Sequence, residues 1–207
     1  MKRKKRGRLA LVFCVVMFVF TACGKSKEFD AAGYVKSALD ALYKGEYAEH
    51  AKYVDEDDAK LKKEMEEDFT SQVQQALSGK ELTQEDKDKY CEFAEKLYTY
   101  AKYEVGESKE EEDGNYTVTV AVEPCTVWKT YYAGIEEKLT EFSSARDTFS
   151  DSELFAAQLD YMNECLASPA FDAKQEVTVR VTQNSNHVYS IPDEDMEMLE
   201  NAMFPIE

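Results

Sequence analysis

Two short segments of this chain alternate valine with polar residues, which is the pattern of a strand that buries one face. They read YTVTVAV at residues 116–122 and VTVRVT at residues 177–182. Successive side chains of a strand point to opposite faces, so the valines of each segment share one face and the polar residues share the other. Asp113-Gly114 precedes the first segment and Asn184-Ser185-Asn186 follows the second, and both are turn signals. Each segment therefore predicts a hairpin, the first with residues 103–107 as its partner strand.

Most of the remaining chain carries apolar residues at helical spacing. Seven segments repeat apolar residues three or four positions apart, as Leu61, Met65 and Phe69 do. Four half-buried strands expose an apolar face that helices must cover. The sequence therefore predicts an α+β fold, with N-terminal helices packed on an antiparallel sheet of two hairpins and a helical insertion between the hairpins. The predicted helix starts are Asp30, Asp55, Thr83, Ser150 or Asp151, and Asp193, and the predicted stops are Gly45 and Gly79.

The N-terminus has the organisation of a signal peptide. It begins MKRKKRGR, with six positive charges in eight residues, and continues with fourteen uncharged, largely apolar residues at positions 9–22. This run is too short for a membrane span, which needs about 20 apolar residues to cross roughly 30 Å of hydrocarbon. Thr21 and Ala22 supply the small residues that precede a cleavage site. The sequence therefore predicts that residues 1–22 are a signal peptide.

The residues at this predicted cleavage site, Phe20-Thr21-Ala22-Cys23, resemble the lipobox of bacterial lipoproteins, Leu-Ala/Ser-Gly/Ala-Cys. Phe20 departs from the usual leucine. The resemblance implies that the Cys23 thiol carries a diacylglyceryl group, and two acyl chains give stable anchoring. We therefore expect anchoring on the outer face of the cell membrane, with residues 23–28 as the lipidated N-terminus and short tether and residues 29–207 as a single α+β domain. The alternative is a plain secretory signal with an incidental cysteine.

The predicted mature chain is strongly acidic. Without the six basic residues of the signal peptide it keeps 19 of the 25 lysines and arginines against 42 acidic residues, which gives a net charge of −23. Such a surface repels the phosphates of nucleic acids, so we expect no nucleic-acid partner. A hydrophobic fraction of 43% and an aromatic fraction of 12% are sufficient for a folded core.

Three stretches are similar to a family of acidic lipoproteins of Gram-positive bacteria whose domain has no assigned function. They read ALDALYKGEYAEHAKYV (38–54), NYTVTVAVEP (115–124) and VTVRVTQNSNHVYSIPDEDMEMLENAMF (177–204). The order of elements also resembles the cystatin/NTF2-like architecture. The resemblance implies a location and an architecture but no activity, because LYKGEY (42–47) and IPDED (191–195) are interpreted as structural punctuation without a reactive group.

No catalytic motif is found in the sequence. HExxH, GxSxG, GxGxxG and the P-loop are absent, and His50 and His187 lack a nucleophile-like spacing to Asp or Ser. We therefore expect no cofactor and no enzymatic activity. The alternative is an NTF2-like enzyme with a carboxylate or histidine base in a cone-shaped pocket. His187 is a candidate for that base, and the competing interpretation is an exposed turn histidine.

Two acidic runs, residues 55–58 and 110–114, collect the oxygen ligands that Ca²⁺ prefers. Neither has the EF-hand pattern. We interpret the first run as complementing a helix N-terminus and the second as a solvated hairpin loop, and we expect no metal site.

Three cysteines, Cys91, Cys125 and Cys165, fall within the predicted domain and contain no CxxC pair. Their apolar sequence surroundings favour buried thiols. One disulfide, with any of three pairings, is the alternative.

Aromatic residues supply the candidate ligand contacts. The single tryptophan, Trp128, lies near a strand-to-helix junction, and aromatic rings of this kind bind sugars or apolar ligands. Core packing of the same rings is the alternative. The candidates are Trp128, Tyr131, Tyr132 and His187, with Tyr98, Tyr100 and Tyr103 as further aromatic residues.

Taken as a functional prediction, these features favour a lipid-anchored extracytoplasmic domain that binds an unknown protein or a small ligand. Besides the NTF2-like enzyme, a scaffold for another protein at the membrane surface is an alternative. Such a scaffold would present an apolar patch of several hundred Å² instead of a pocket.

Overall fold

The computed structural model describes residues 29–206. The predicted signal peptide, Cys23 and the tether precede this range and Glu207 follows it, so the predictions made for them lie outside the described residues. Between Phe29 and Ile206 there is no helix with the length and apolar character that a membrane crossing requires.

The described residues form an α+β fold with seven α-helices and one four-stranded antiparallel sheet, as the sequence predicts. A one-turn 3-10 helix at Glu112–Gly114 joins the first two strands. The helices are α1 Ala31–Lys44, α2 Tyr47–Val54, α3 Asp58–Ala76, α4 Gln84–Tyr98, α5 Val127–Ser144, α6 Asp151–Leu166 and α7 Asp193–Met203. The strands are β1 Tyr103–Glu110, β2 Tyr116–Val122, β3 Gln175–Gln183 and β4 Tyr189–Ser190.

The sheet has the strand order β1-β2-β3-β4, and the valine alternation determines which of its faces is buried. Val118 of β2 lies opposite Val179 of β3, and both are fully buried, whereas Thr119 between the valines of β2 is half-buried. Helix α1 packs on this apolar face, against β1 and β2. Strand β1 is longer than the predicted segment and contains a register shift between Val105 and Ser108.

Three predicted helix starts are confirmed by hydrogen bonds at the N-caps. The Asp30 side chain accepts from the Gly33 backbone N–H at 2.8 Å. Thr83 and Ser150 each form a capping box with an acidic residue three positions later. These signals were readable because an N-cap depends on residues within one turn of the chain.

Two predicted helix starts are wrong. Asp55 does not cap α3: it ends α2 in the left-handed conformation, with φ 50°, and Asp57 caps α3 by accepting from two backbone N–H groups. Asp193 is the first residue of α7, and Pro192 occupies the N-cap position. Residues 55–58 and 193–195 each contain several acidic residues in succession, and the local pattern does not indicate at which of them the helix begins. Helix α3 also ends at Ala76, before the predicted stop.

The beginning of the described chain is held by an aromatic cluster. The Phe29 ring stacks on Tyr189 of β4, with centroids 3.7 Å apart. It also contacts Tyr34 of α1, Tyr53 of α2 and Tyr116 of β2. The entry point of the chain is therefore bound to four separate elements.

The predicted buried thiols agree with the structure. Cys91 and Cys165 are 8% exposed and Cys125 is 1% exposed, and none of the three is in a disulfide. Burial raises the pKa of each thiol, which keeps it in the less reactive protonated form.

Candidate functional site

The predicted aromatic candidates on α5 are mostly packing residues. Trp128 and Tyr131 are buried, and Trp128 contacts Phe93 of α4 edge-to-face at 5.9 Å. Tyr132 is instead 48% exposed. Trp128 and Tyr131 therefore hold α5 against its neighbours, and ligand contact at Tyr132 stays a prediction.

His187 lies in the exposed turn between β3 and β4. It adopts the left-handed conformation with φ 61°, and its Nδ1 is 3.4 Å from the Gln183 side chain. The interpretation as a turn histidine matches this placement. The buried histidine is His50 of α2, which is 3% exposed and lies next to Ser37 of α1.

The acidic runs are used in local structure. Asp57 caps α3, and Glu56 of the same run pairs with Lys60. In the hairpin loop Glu111 accepts from Lys109 and from Thr117. Within residues 29–206, no group of three or more His, Cys, Asp or Glu side chains is placed to hold a metal ion.

A cleft of about 590 Å³ opens where the C-terminal end of α1 meets α3 and α4. The turn between α1 and α2 forms one wall, and Gly45 allows this turn because it adopts the left-handed conformation with φ 67°. The lining residues are Ala41, Leu42, Tyr43, Lys44, Gly45, Glu46, Tyr47, Met65, Glu66, Phe69, Glu95, Tyr98 and Thr99.

The floor of this cleft consists of interlocked aromatic rings. Phe69 and Tyr43 each contact Tyr98 edge-to-face, with centroids 5.6 Å and 5.1 Å apart. The Tyr98 hydroxyl donates a 2.7 Å hydrogen bond to the buried carboxylate of Glu200. Burial and the charge of Glu200 raise the pKa of Tyr98 well above its ordinary value, so this hydroxyl stays a donor. The floor is therefore apolar and rigid.

Glutamates form the rim. Glu46, Glu66 and Glu95 line the cleft from three different segments, and all three are exposed. Tyr47 lies among them and is half-buried, and its pKa is raised by burial and by the charges of Glu66 and Glu95. The rim is negative over an aromatic floor.

The lysine in the cleft wall is already paired. Lys44 donates to Asp40 at 2.7 Å and lies 4.6 Å from the centre of the Tyr103 ring. Asp40 also accepts from the Tyr103 hydroxyl at 2.7 Å and pairs with Lys36. Lys44 is therefore directed to a buried carboxylate on its own helix.

A second depression of about 550 Å³ adjoins the cleft and shares Gly45, Glu46 and Tyr47 with it. A third, of about 250 Å³, lies beside Lys44 and Tyr103. Trp128, Tyr131, Tyr132 and His187 line none of the three.

The cleft was not predicted from the sequence, although residues that form it lie in the stretch ALDALYKGEYAEHAKYV. All six residues of LYKGEY, residues 42–47, line the cleft, yet they were interpreted only as structural punctuation. Tyr98, a further aromatic candidate, is in the floor. Tyr43 and Tyr47, which flank Lys44-Gly45-Glu46, were an available signal. A turn at the end of a helix does not itself need aromatic rings, so two of them there indicate a further role.

No protein-family model and no curated protein sequence matches this chain significantly. Among solved structures, the chain is similar to one described as a "putative lipoprotein (ycdA)" from Bacillus subtilis, with 17% sequence identity and a TM-score of 0.59. The similarity covers 86% of this chain and 56% of that protein, so this chain spans little more than half the neighbour's length. At this identity the similarity shows a shared fold.

Proposed function

We propose that this chain is a lipid-anchored extracytoplasmic binding domain whose ligand occupies the cleft at the C-terminal end of α1. The observation that carries the proposal is the cleft itself, which has an aromatic floor, a polar rim and a volume of about 590 Å³. Ligand sites in proteins are typically concave, about 300–1,000 Å³ in volume, and lined by apolar rings with a few polar groups. A binding role is favoured over a scaffold because a scaffold needs a protruding apolar patch instead of a cleft.

The point where the chain enters the described fold and the cleft lie at opposite ends of one helix. The chain enters the fold at Phe29, immediately before α1, and the cleft begins at Ala41. A helix of 14 residues is about 20 Å long at 1.5 Å per residue. The tether of residues 24–28 spans at most about 18 Å. Anchoring at Cys23 therefore holds the domain near the membrane and keeps the cleft at the far end of α1.

The similarity to the Bacillus subtilis structure supports the proposed anchor, but the proposal does not depend on it. The Bacillus subtilis neighbour is itself described as a lipoprotein, and the lipobox resemblance at Phe20-Thr21-Ala22-Cys23 is independent of that likeness. The cystatin/NTF2-like architecture is part of the proposal, in the form of helices packed against one face of an antiparallel sheet. Binding is preferred to catalysis because the exposed glutamates of the rim lie at the mouth of an open cleft and not in a closed apolar cone.

A cleft-blocking variant tests the binding role. Thr99 is an exposed residue of the cleft wall, and Thr99→Trp fills the cleft without touching the core. The control is Gln75→Trp, a neutral, exposed residue of α3 that does not line the cleft. In a small-molecule thermal-shift screen, we expect compounds that raise the Tm of the wild type and of Gln75→Trp but not that of Thr99→Trp. A screen in which every stabilising compound acts equally on both variants contradicts the proposal.

A further inference from the structure

We infer that the cleft binds an organic cation with at least two ammonium groups joined by methylene segments. The inference rests on the proposed function, because it names the ligand class of the same cleft. It is carried by the arrangement of charged groups and aromatic rings in the cleft, which determines the sign of the ligand's charge, the spacing of its charged groups and its apolar character.

The charge of the cleft selects a cation. Three carboxylates face it, from Glu46, Glu66 and Glu95, and its lysine is held by Asp40. Glu66 has a 3.7 Å ion pair with Lys62, and within residues 29–206 no ion pair is found for Glu46 or Glu95. An anion in this position would meet three like charges, whereas a cation would meet three opposite ones.

The spacing of the carboxylates selects a ligand with separated charges. Although three glutamates line one cleft, they are not grouped as metal ligands, as none of the described residues forms such a group. Calcium and magnesium require several oxygens within about 2–2.6 Å of one point. Glu46 comes from the α1–α2 turn, Glu66 from α3 and Glu95 from α4, so the charges are distributed around the rim. A linear molecule with amino groups along its length matches such a rim.

The floor selects methylene groups and cationic nitrogen. Leu42, Met65 and Phe69 offer apolar contacts to alkyl segments. The half-buried ring of Tyr47 attracts ammonium groups through its π system. An inorganic ion gains nothing from the apolar part of this surface. A polyamine uses both parts.

Spermidine is the probe for the direct test, measured by isothermal titration calorimetry on the whole mature chain at about 0.15 M salt, where diffuse attraction is screened beyond about 8 Å. We expect one spermidine per chain. Two comparison titrations separate the contribution of the charge of spermidine from that of its methylene chain. The first uses 1,8-octanediol, which has a methylene chain without charge, and the second uses Mg²⁺ at equal ionic strength, which has charge without a methylene chain. We expect neither to displace spermidine.

A pair of matched double variants locates the binding. Glu66→Gln with Glu95→Gln removes two carboxylates from the cleft, and Glu67→Gln with Glu92→Gln removes two exposed carboxylates from the same two helices outside it. The match is close, because Glu66 and Glu67 have i,i+4 ion pairs of the same length, 3.7 Å, with Lys62 and Lys63. We expect the first pair to weaken spermidine binding at least about tenfold and the second by less than about twofold. Circular dichroism and Tm establish that both variants are folded.

The aromatic contribution is tested at Tyr47. Tyr47→Phe keeps the π system and Tyr47→Leu removes it while keeping apolar volume. We expect near wild-type spermidine binding for the phenylalanine variant and weaker binding for the leucine variant. Lysine side chains carry the same alkylammonium group, so an acetylated trilysine peptide is titrated in parallel. The tighter of the two ligands identifies whether a free amine or a peptide is the source of the cation.

Three results overturn the inference in distinguishable ways. Equal loss of spermidine binding in both double variants would show diffuse attraction to an acidic surface. Absence of spermidine and trilysine binding, together with a neutral or anionic compound that is sensitive to Thr99→Trp, would refute the cation and leave the proposed function in place. Absence of any compound sensitive to Thr99→Trp removes the proposed function and the inference with it.

Discussion

His50 shows how one buried side chain couples this fold to pH. Its Nδ1 lies 3.1 Å from the Ser37 hydroxyl, and that hydroxyl donates its hydrogen to the Tyr34 carbonyl at 2.8 Å. Since the serine has only one hydrogen to donate, the Nδ1 of His50 carries the hydrogen of the shared bond. Burial lowers the pKa of His50 from 6.5 to about 4, so the folded state holds a neutral ring.

The sign of the pH effect follows from this lowered pKa. Between pH 6.5 and about 4 the unfolded chain binds a proton at His50 and the folded chain does not, so the free energy of unfolding decreases as pH falls through this window. The loss is about 1.4 kcal/mol per pH unit at most, or about 2 kcal/mol between pH 7 and pH 5. Urea unfolding of the wild type at pH 7 and pH 5 measures this loss together with the pH-dependent contributions of all carboxylates.

His50→Asn isolates the histidine, because the asparagine amide nitrogen occupies the position of Nδ1 and does not titrate. We expect the difference in unfolding free energy between wild type and variant to shrink from pH 7 to pH 5 by about 2 kcal/mol. A constant difference at both pH values would mean that His50 is protonated in the folded chain.

At the scale of elements, α7 covers the edge of β3 that β4 is too short to pair. Asp195, in the first turn of α7, accepts from the Arg180 backbone N–H at 2.6 Å and from its guanidinium at 2.6 Å and 3.0 Å. Glu194 also pairs with Arg180, but its side chain is 70% exposed, compared with 5% for Asp195. One acidic helix turn thus takes the place of a neighbouring strand.

Two alanine substitutions separate these neighbouring carboxylates. Asp195→Ala leaves a strand N–H without its acceptor, and we expect it to lower the free energy of unfolding by about 1–3 kcal/mol. Glu194→Ala removes an exposed ion pair, for which we expect about 0–1 kcal/mol. Urea denaturation gives both values, and hydrogen exchange at the Arg180 amide should accelerate only in the first variant. Equal costs would place the stabilisation in the charges of α7 and not in the covered edge.

Elements with local signals were predictable from the sequence, and their boundaries were predictable only where one residue was available for the cap. The valine alternation gave β2 and β3 directly, because the pleat requires it. Asp30 and Thr83 were correct as caps because each was the single candidate before its helix, whereas Ser150 and Asp151 were both open as the start of α6. Asp55 was wrong because the choice between Asp55 and Asp57 depends on the left-handed turn that ends α2.

At the scale of the whole molecule, the sequence pattern could indicate the tyrosines of the α1–α2 turn but not the cleft that they line. Its walls come from the α1–α2 turn, α3 and α4, which meet only through tertiary packing. The segment around Trp128 is equally rich in aromatic residues, yet most of them are buried. Aromatic content therefore does not distinguish a core from a binding surface. Sequence periodicity identifies which side of a helix is apolar, but it does not say whether a neighbouring helix covers that side.

The number of cysteines that react with maleimide tests both the fold and the proposed anchor. The chain has five, of which Cys91, Cys125 and Cys165 are buried. We expect maleimide to label none of these three in the native mature protein extracted from membranes. After denaturation without reductant, mass spectrometry should find three adducts, because under the proposed lipidation Cys14 leaves with the signal peptide and the lipid blocks Cys23.

Other adduct counts have specific meanings. Four adducts indicate either a cut chain with a free Cys23 or an uncut lipidated precursor that keeps Cys14, and the mass of the chain distinguishes the two. Five adducts indicate an uncut precursor without lipid. One adduct on a lipid-blocked chain indicates a disulfide, which would contradict the unpaired cysteines of the fold.

The stacking of Phe29 on Tyr189 has a mechanical consequence. Under the proposed anchoring, every force between the membrane and a bound ligand passes through the residue at which the tether joins the domain. There the Phe29 ring contacts α1, α2, β2 and β4, so tension is divided among four elements and is not concentrated on the first turn of α1. Pulling the tether therefore loads the sheet, while the cleft lies at the opposite end of α1 and outside the direct line of force.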